Sequence, residues 1–551
     1  MGRREGEGAN GLRRVSELAS ELSLHWGMVL GMRQLLASSP WADPEEEIRR
    51  FYLERESNFL NLVRAAVFSN PVHPYAQMFH LAGCRVDDLE QLVRSKGLEA
   101  ALTDLRRAGV YLSHEEFKGS APVVRSGRHI PCNTESLRNP LAPAGMMSVS
   151  SGSRSRGTRT PKSTAARLHA EAWRNIHQRE WQVEDRVPAA LYPILPSTIF
   201  LTAGLAQSRR GRPWQRWFTV VGSRVPFSLH ALATQAMVAL ARIHGARIPF
   251  PTFLQPNDFS PVARWIGERK REGRSCAIWG FASPCVRVAA AALDLGLDIS
   301  GTIFVTGGEA LSEAKNAVLA RAEAEAIATY YISEVGCIGA ACRQMGPGNS
   351  VHVHEDEVAV ISWPQQMPGR GAEVNALLFT TLLPFAPHVL INAEMGDAGV
   401  LEAASCECLF TRLGFRRKIS GIYSYSKLTG QGVTLVGKSI VRLLEEALPA
   451  RFGGGPGDYQ LVELEGSAQT ELLLRVSPRT GIRSPEPVRD WFLKEIRNCY
   501  GGSLAARSWR HSDGITVVLA EPLMTRGKIL PLVLLNAGHR ESHEAQDVSG
   551  R

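Results

Sequence analysis

The sequence predicts an α/β protein: a large multi-layer α/β core, preceded by a helical region and followed by a small α+β domain. Three observations carry that expectation. Apolar side chains recur at spacings of three and four between about residues 45 and 115; short apolar runs alternate with helical patterns from Ser275 to Ile332; and the pattern breaks after Leu413 before strands resume.

In the first region Ile48, Phe51, Tyr52, Phe59, Leu60 and Val63 form the apolar side of successive helices, and residues 1–118 are assigned to it. The leading MGRREGEGAN is polar, with no apolar core behind it, so it reads as a frayed tail and not an export signal. The stretch MMSVSSGSRSRGTRTPKS, Met146 to Ser163, keeps no apolar period and is expected to be a loop. The core, 119–425, carries a strand at Ala277 to Trp279, a helix from about Pro284 to Leu295 and a strand at Thr302 to Val305. A helix from Leu311 to Ala324 and a strand at Ile327 to Tyr331 complete the alternation of a doubly wound parallel sheet. The longest apolar stretch, Asn375 to Ala393, holds Pro384, Pro387 and His388, which suit two strands joined by a turn and not a membrane helix. The C-terminal domain, 426–551, follows the Arg416-Arg417-Lys418 run and the polar Ser424 to Gly432. It includes the glycine-rich Gly453 to Gly457, a strand at Glu471 to Val476 and a helix at Val488 to Ile496.

With 44% hydrophobic and 21% charged residues over 551 positions, the chain is globular and not disordered. The net charge of +9 is spread among interleaved signs, and no recognisable nucleic-acid module accompanies the arginines from Arg125 to Arg179, which read as a solvated surface. Nine cysteines without dense regular spacing suit a reducing compartment, so a soluble, cytoplasmic protein is expected, with no membrane and no nucleic-acid partner. Lysine is scarce, 10 of the 63 basic residues, which makes a lysine inside a chemical motif informative.

Four short segments carry chemistry. Ser150, Ser151, Gly152 and Ser153, with Gly157, Thr158, Pro161 and Lys162, combine hydroxyls, backbone N–H groups and cations in a loop that suits polyphosphate; a serine-arginine linker has the same composition. Gly307-Gly308-Glu309 stands where a strand meets a helix, the crevice position of open α/β sheets, and is equally compatible with a plain turn. Tyr330-Tyr331-Ile332-Ser333-Glu334 ends the next strand and offers an aromatic face, a hydroxyl and a carboxylate. Pro522 to Ile529 places Lys528 next to Gly527 near the C-terminus.

In this order, these segments resemble the adenylate-forming enzymes, specifically the phenylacetate-CoA ligase-like branch, over roughly residues 50 to 540. The resemblance implies ATP-dependent, AMP-forming activation of an aryl or small acyl carboxylic acid as an acyl-adenylate, then thioester formation with CoA. Acyl transfer to a carrier protein or an amine, or a nucleotide-binding homologue without chemistry, are the alternatives. It also implies roles: Ser150 to Thr158 on the phosphates, Gly307, Gly308, Glu309, Tyr330, Tyr331 and Ser333 around the nucleotide, Glu334 on Mg2+, Asp397 of Gly396-Asp397 on the ribose, and Lys528 as the catalytic lysine. Tyr331 stands where the family usually has glycine, Ser333 replaces threonine, and Ala393-Glu394-Met395 precede Gly396-Asp397 where Tyr-Arg-Thr is common. Tyr423 to Lys427 lacks the expected hinge arginine and aspartates. The acyl pocket is expected near Trp279-Gly280-Phe281 and the 217–240 region, and the oligomeric state is open.

Cys342, His352, Cys406 and Cys408 have the residue types of a closed, structural zinc site, and the resembled branch often has a similar arrangement. Cys342 as a buried apolar residue, or His354 or Cys337 as substitute ligands, stay open. Gly432 to Ser439 matches the nucleotide-triphosphate P-loop literally, but its apolar interior and polar approach argue against that role.

Overall fold

The computed structural model describes residues 27–143, 145–149, 159–220, 228–346, 348–366, 373–425, 429–430, 433–434, 438–465, 470–498 and 515–536. The expected phosphate-loop residues Ser150, Ser151, Gly152, Ser153, Gly157 and Thr158 lie outside them, as do Gly432 and residues 435–437 of the P-loop-like Gly432 to Ser439.

The front of the chain is helical for local reasons. Asp43 caps the helix Pro44–Leu53 by accepting from the Glu45 and Glu46 N–H groups, and three glutamates in the first turn oppose the dipole favourably. The helix Leu98–Arg107 buries Leu98, Ala101, Leu102 and Leu105, one face at helical spacing. These faces share one hydrophobic core with Leu377, Phe379 and Ile419 of the central sheet, so the helices are packed onto that sheet.

That sheet has twelve strands. Their spatial order is Val358–Gln366, Glu373–Thr381, Ala393–Ala403, Arg417–Ser424, Val351–Val353, Gly336–Ala340, Glu325–Ile332, Ile303–Gly307, Cys276–Phe281, Val187–Leu191, Arg216–Val220 and Pro251–Leu254. The last six pair in parallel and the first seven antiparallel, so the parallel sheet expected from the sequence is half of a mixed one. The cause is connection length: parallel neighbours are joined through helices such as Ala282–Asp294 and Glu313–Arg321, whereas Ile332 returns at Gly336 through a short turn. Alternate residues of the parallel strands face opposite helical layers. Ala189, Ile278 and Phe304 pack with Val262, Val288 and Leu319, while Ala190 and Trp217 pack with Phe200, Leu205 and Met237.

Two local expectations are corrected. The stretch Met146 to Ser163 begins and ends as strands, Met146–Val149 pairing antiparallel with Arg159–Lys162; hairpin pairing uses backbone groups and needs no apolar period. Within Asn375 to Ala393 one strand ends at Thr381 and the next starts only at Ala393, the segment between being held by Thr380 and Thr381 hydroxyls that bond the backbone of Asn392 and Leu390.

After residue 438 the chain builds a four-stranded sheet in the order Ile515–Leu519, Thr470–Val476, Tyr459–Glu465 and Leu532–Asn536. Leu444, Tyr459, Leu474 and Phe492 form a core of its own. No helix among the described residues is long and apolar enough to cross a membrane.

Candidate active site

The parallel register aligns Phe281 with Gly307 and Gly307 with Thr329, so three strands end at one level. Their carboxyl ends open into a cavity of about 290 Å³, the crevice where open α/β sheets take ligands. Trp279, Gly280, Phe281, Gly307, Gly308, Tyr331 and Ser333 line it. Gly308 has φ 74°, and a side chain there would lie 3.0 Å from Lys528 Nζ and 3.1 Å from the Phe281 ring. Glycine at this position permits both the turn and the approach of the lysine.

Lys528 arrives from the C-terminal domain. A tight turn, closed by two backbone bonds between Thr525 and Lys528 and by Gly527 at φ 80°, sets Gly527 against Pro193 of the core. Lys528 Nζ donates to the Gly308 carbonyl over 2.9 Å and lies 4.6 Å from the Phe281 ring centroid. The docking is specific: Ile529 N–H donates to Ser283 Oγ (2.8 Å), and the Ser283 hydroxyl donates to Glu309 (2.8 Å). Arg287 pairs with Asp458 (2.6 Å), and Lys315 with Glu445 (3.0 Å). Glu309 is thus committed to this docking network, 3.8 Å from Lys315 Nζ, and burial holds its carboxyl above the usual range.

Tyr330 and Asp397, 67 residues apart, meet directly: the phenol donates to the carboxylate over 2.7 Å. Burial first, and the Asp397 charge second, push the Tyr330 phenol well up, so it stays protonated. Gly396, at φ 81°, turns the backbone so that its carbonyl accepts from Tyr425 N–H and Ser424 Oγ. Glu394 is buried beside Arg106 and Tyr425. A register shift between Tyr330 and Tyr331 turns the second tyrosine toward Lys162, whose ammonium hydrogen-bonds its hydroxyl and lies over its ring. Glu334 is buried, 3.4 Å from Lys118 Nζ.

Sequence reasoning missed the wall opposite. The helix Thr164–Trp181, capped by Ser163, turns Arg167, His169, Trp173, Arg174, His177, Gln178 and Trp181 toward the cavity. His169 Nε2 lies 2.8 Å from Asp356, and Trp173 Nε1 donates to the same carboxylate (3.2 Å). The signal was the spacing of these residues along one helix, masked because the arginines resembled a solvated face. That expectation is corrected for Arg167, which is 8% exposed, and for Arg125, which forms a buried pair with Glu116. The other wall is the helix Ile199–Arg209; no described residue of 217–240 lines the cavity.

Beyond Phe410, which packs against Trp173 and His177, Cys342, His352, Cys406 and Cys408 place their ligand atoms within 4.8 Å of one another. Sulfur–sulfur distances are 3.7 Å (Cys342 to Cys406) and 3.6 Å (Cys406 to Cys408), and His352 Nε2 lies 3.2 Å and 3.3 Å from the last two sulfurs. A tetrahedral zinc with bonds of about 2.3 Å to sulfur has sulfur–sulfur edges of about 3.8 Å, so this donor set fits the metal. His352 Nδ1 is 3.2 Å from the Phe415 carbonyl, which would fix the ring with Nε2 free to ligate. The substitute ligands are excluded by place: His354 stacks on Trp173 at 3.6 Å, and Cys337 lines the cavity.

Comparison with solved structures finds similarity to 2-hydroxyisobutyryl-CoA ligase in complex with 2-HIB-AMP and CoA in the thioesterification state. It is 14% identical, with 91% of this chain and 92% of that chain covered and a TM-score of 0.46. An open conformation of the same ligase, with 2-HIB-AMP and CoA, gives 14%, 90%, 93% and 0.43. O-succinylbenzoate coenzyme A synthetase from Bacillus subtilis, in complex with ATP and magnesium ion, is 11% identical, covering 75% of this chain and 81% of that chain at a TM-score of 0.34. No family model matches the chain, and no curated protein matches it in sequence.

Proposed function

We propose that this protein is an adenylate-forming ligase: it activates a carboxylic acid with ATP, releasing pyrophosphate, and passes the acyl group from the adenylate to CoA. The observation that carries the reading is Lys528, delivered from a separate domain to the Gly308 carbonyl at the mouth of the cavity. An ammonium placed there can neutralise charge that develops between the acid's carboxylate and the α-phosphate as they react.

The other groups fall into place around that step. Tyr330 presents its ring to adenine while its hydroxyl orients Asp397 toward the ribose hydroxyls. Tyr331 and Ser333 border the reacting phosphate. The loop from Ser150 to Thr158, between the paired strands Met146–Val149 and Arg159–Lys162, holds the phosphates. Glu334 would hold Mg2+, which supplies charge neutralisation on the phosphates when bound, with Lys118 sharing the carboxylate. The cavity, with its tryptophans and phenylalanines, takes the acyl group and keeps water from it. The Cys342, His352, Cys406 and Cys408 set would hold zinc in a structural role, because four protein ligands leave no open position. In the second half-reaction the C-terminal domain, from about residue 426, turns away with Lys528 to admit the thiol.

The test is carboxylate-dependent exchange of labelled pyrophosphate into ATP over a panel of acids, followed by trapping of the thioester with CoA. Exchange without thioester would move the acceptor to a carrier thiol or an amine. No exchange with any acid would overturn the reading.

A further inference from the structure

Among the described residues the charge inside the cavity is unbalanced: three cationic side chains line it, Lys162, Arg167 and Arg174, against one carboxylate, Glu357. Glu357 is already engaged: the Cys337 N–H donates to it (3.0 Å), His169 Nδ1 is 3.8 Å away, and burial pushes its carboxyl above the usual range. Lys162 and Arg167 have neighbours near the strand ends, Tyr331 for the first and the Met146 carbonyl for the second. Arg174 has none: among the described residues it makes no hydrogen bond, ion pair or ring contact. The nearest acid on its own helix, Glu171, is taken at both oxygens by Arg209 Nε, at 3.0 and 3.1 Å. Arg210, which does not line the cavity, donates to the Glu171 carbonyl and leaves its buried Nε and one terminal nitrogen unpartnered.

The half-buried Arg174 guanidinium faces the cavity without a protein acceptor, so an anionic ligand can supply one. Arg174 follows Arg167 by two turns of one helix, about 10 Å further from Lys162 at 1.5 Å per residue. The nucleotide arrives at the Lys162 and Tyr331 end, so Arg174 is out of its path. Beside Arg174 stand His177, Gln178 and Gln207, polar groups among Trp173, Trp181 and Trp214.

We infer that the acid accepted by this cavity carries a second anionic group, a carboxylate or similar oxyanion, at the end remote from the carboxylate that is activated, and that Arg174 receives it. This rests on the adenylation reading, and it names the substrate class: a dianionic acid whose middle is apolar or aromatic and whose far end is charged. Arg174 is then the residue that selects the substrate, since a monoanionic acid of equal length leaves the guanidinium unpaired, and a site built to bond a polar group rejects the analogue that lacks it.

The experiment compares matched pairs of acids on the full-length chain, octanoate against suberate and phenylacetate against 1,4-phenylenediacetate, by pyrophosphate exchange. Binding of the same acids is followed independently by quenching of tryptophan fluorescence. The wild type is expected to favour the dianion in kcat/KM by roughly tenfold to 10²-fold, Arg174→Met to lose that preference, and Arg174→Lys, which keeps the charge, to retain part of it. Equal handling of both members of each pair overturns the inference. So does an Arg174→Met effect confined to the KM for ATP, which would make Arg174 a phosphate contact. If no acid supports exchange but suberate binds in an Arg174-dependent way, adenylation falls and the anion site stands. If binding too is indifferent to Arg174, both fall.

Discussion

The ammonium of Lys528 lies 2.9 Å from the carbonyl oxygen of Gly308, a residue 220 positions earlier in another domain. The contact exists only because the glycine at 308 leaves room for it and because the Ser283, Arg287 and Lys315 contacts seat the C-terminal domain on the core. On the proposed mechanism, a group held this way is preorganised for the step in which charge builds on the phosphate. Lys528→Ala is therefore expected to lower single-turnover adenylate formation by about 10²-fold or more while circular dichroism and the unfolding midpoint stay near wild type. Wild-type rates in the variant would remove Lys528 from the chemistry.

Zinc content is the second prediction. Three sulfurs and an imidazole nitrogen that lie within 4.8 Å of one another are expected to hold about one zinc per chain, measured by elemental analysis of protein prepared without chelator. Cys406→Ser/Cys408→Ser should lose the metal and unfold at lower temperature, since the site ties the strand Val351–Val353 to the segment that follows Ala403. Full metal content in the double variant would disprove the assignment.

These two sites differ from the cavity wall in how far they could be read in advance. Lys528 is one of only 10 lysines, Gly307-Gly308 marks a strand-to-helix junction, and Cys406 and Cys408 are close in sequence, so local pattern was enough to single them out. The strand-helix alternation from Ser275 to Ile332 was legible for the same reason: each element carries its own period. The antiparallel half of the sheet was not, because strand direction depends on connections and partners far away, as when Val351 pairs with Ile419. The cavity wall was hidden too. Arg167, His169, Arg174 and His177 have the spacing of an ordinary polar helix face, and only the placement of that helix against Glu357, Phe385 and the strand ends turns the face inward.

The pair Arg287 and Asp458 predicts a split between the two half-reactions. Both side chains are buried where the core helix Ala282–Asp294 meets the C-terminal domain, and Arg287 also donates to the Gly457 carbonyl over 2.7 Å. Removing one charge from such a pair costs about 3–5 kcal/mol because the other is left buried alone. Asp458→Asn should therefore depopulate the docked arrangement, slowing adenylate formation roughly tenfold or more in rapid-quench experiments. Transfer from preformed adenylate, which on the proposed mechanism needs the domain displaced, should hold its rate or rise. Equal slowing of both steps would show that the pair supports the fold and not the docked state.

The last prediction concerns pH. His177 is packed between Trp173, Trp181, Phe410 and His354, its Nε2 3.1 Å from that of His354. Burial, with the Arg210 and Arg174 charges adding to it, pushes its imidazole down to about 3. In the unfolded chain the same group takes its proton near 6.5. Between those values the unfolded state binds a proton that the folded state refuses, so stability falls as pH falls below 6.5, by about 1.4 kcal/mol per pH unit for one such group. His177→Gln removes that linkage. Its stability, measured by urea unfolding at several pH values between 6.5 and 5, should decline with an average slope roughly 1 kcal/mol per pH unit shallower than wild type. His169 has the opposite sign: burial opposes its charge, but the Asp356 hydrogen bond together with the Asp356 and Glu357 charges outweighs it and leaves the pKa raised, so its contribution is full below 6.5 and lost as pH rises through the raised value. That contribution is present in both proteins and cancels in the comparison. Identical slopes for the two proteins would mean that His177 is protonated in the fold.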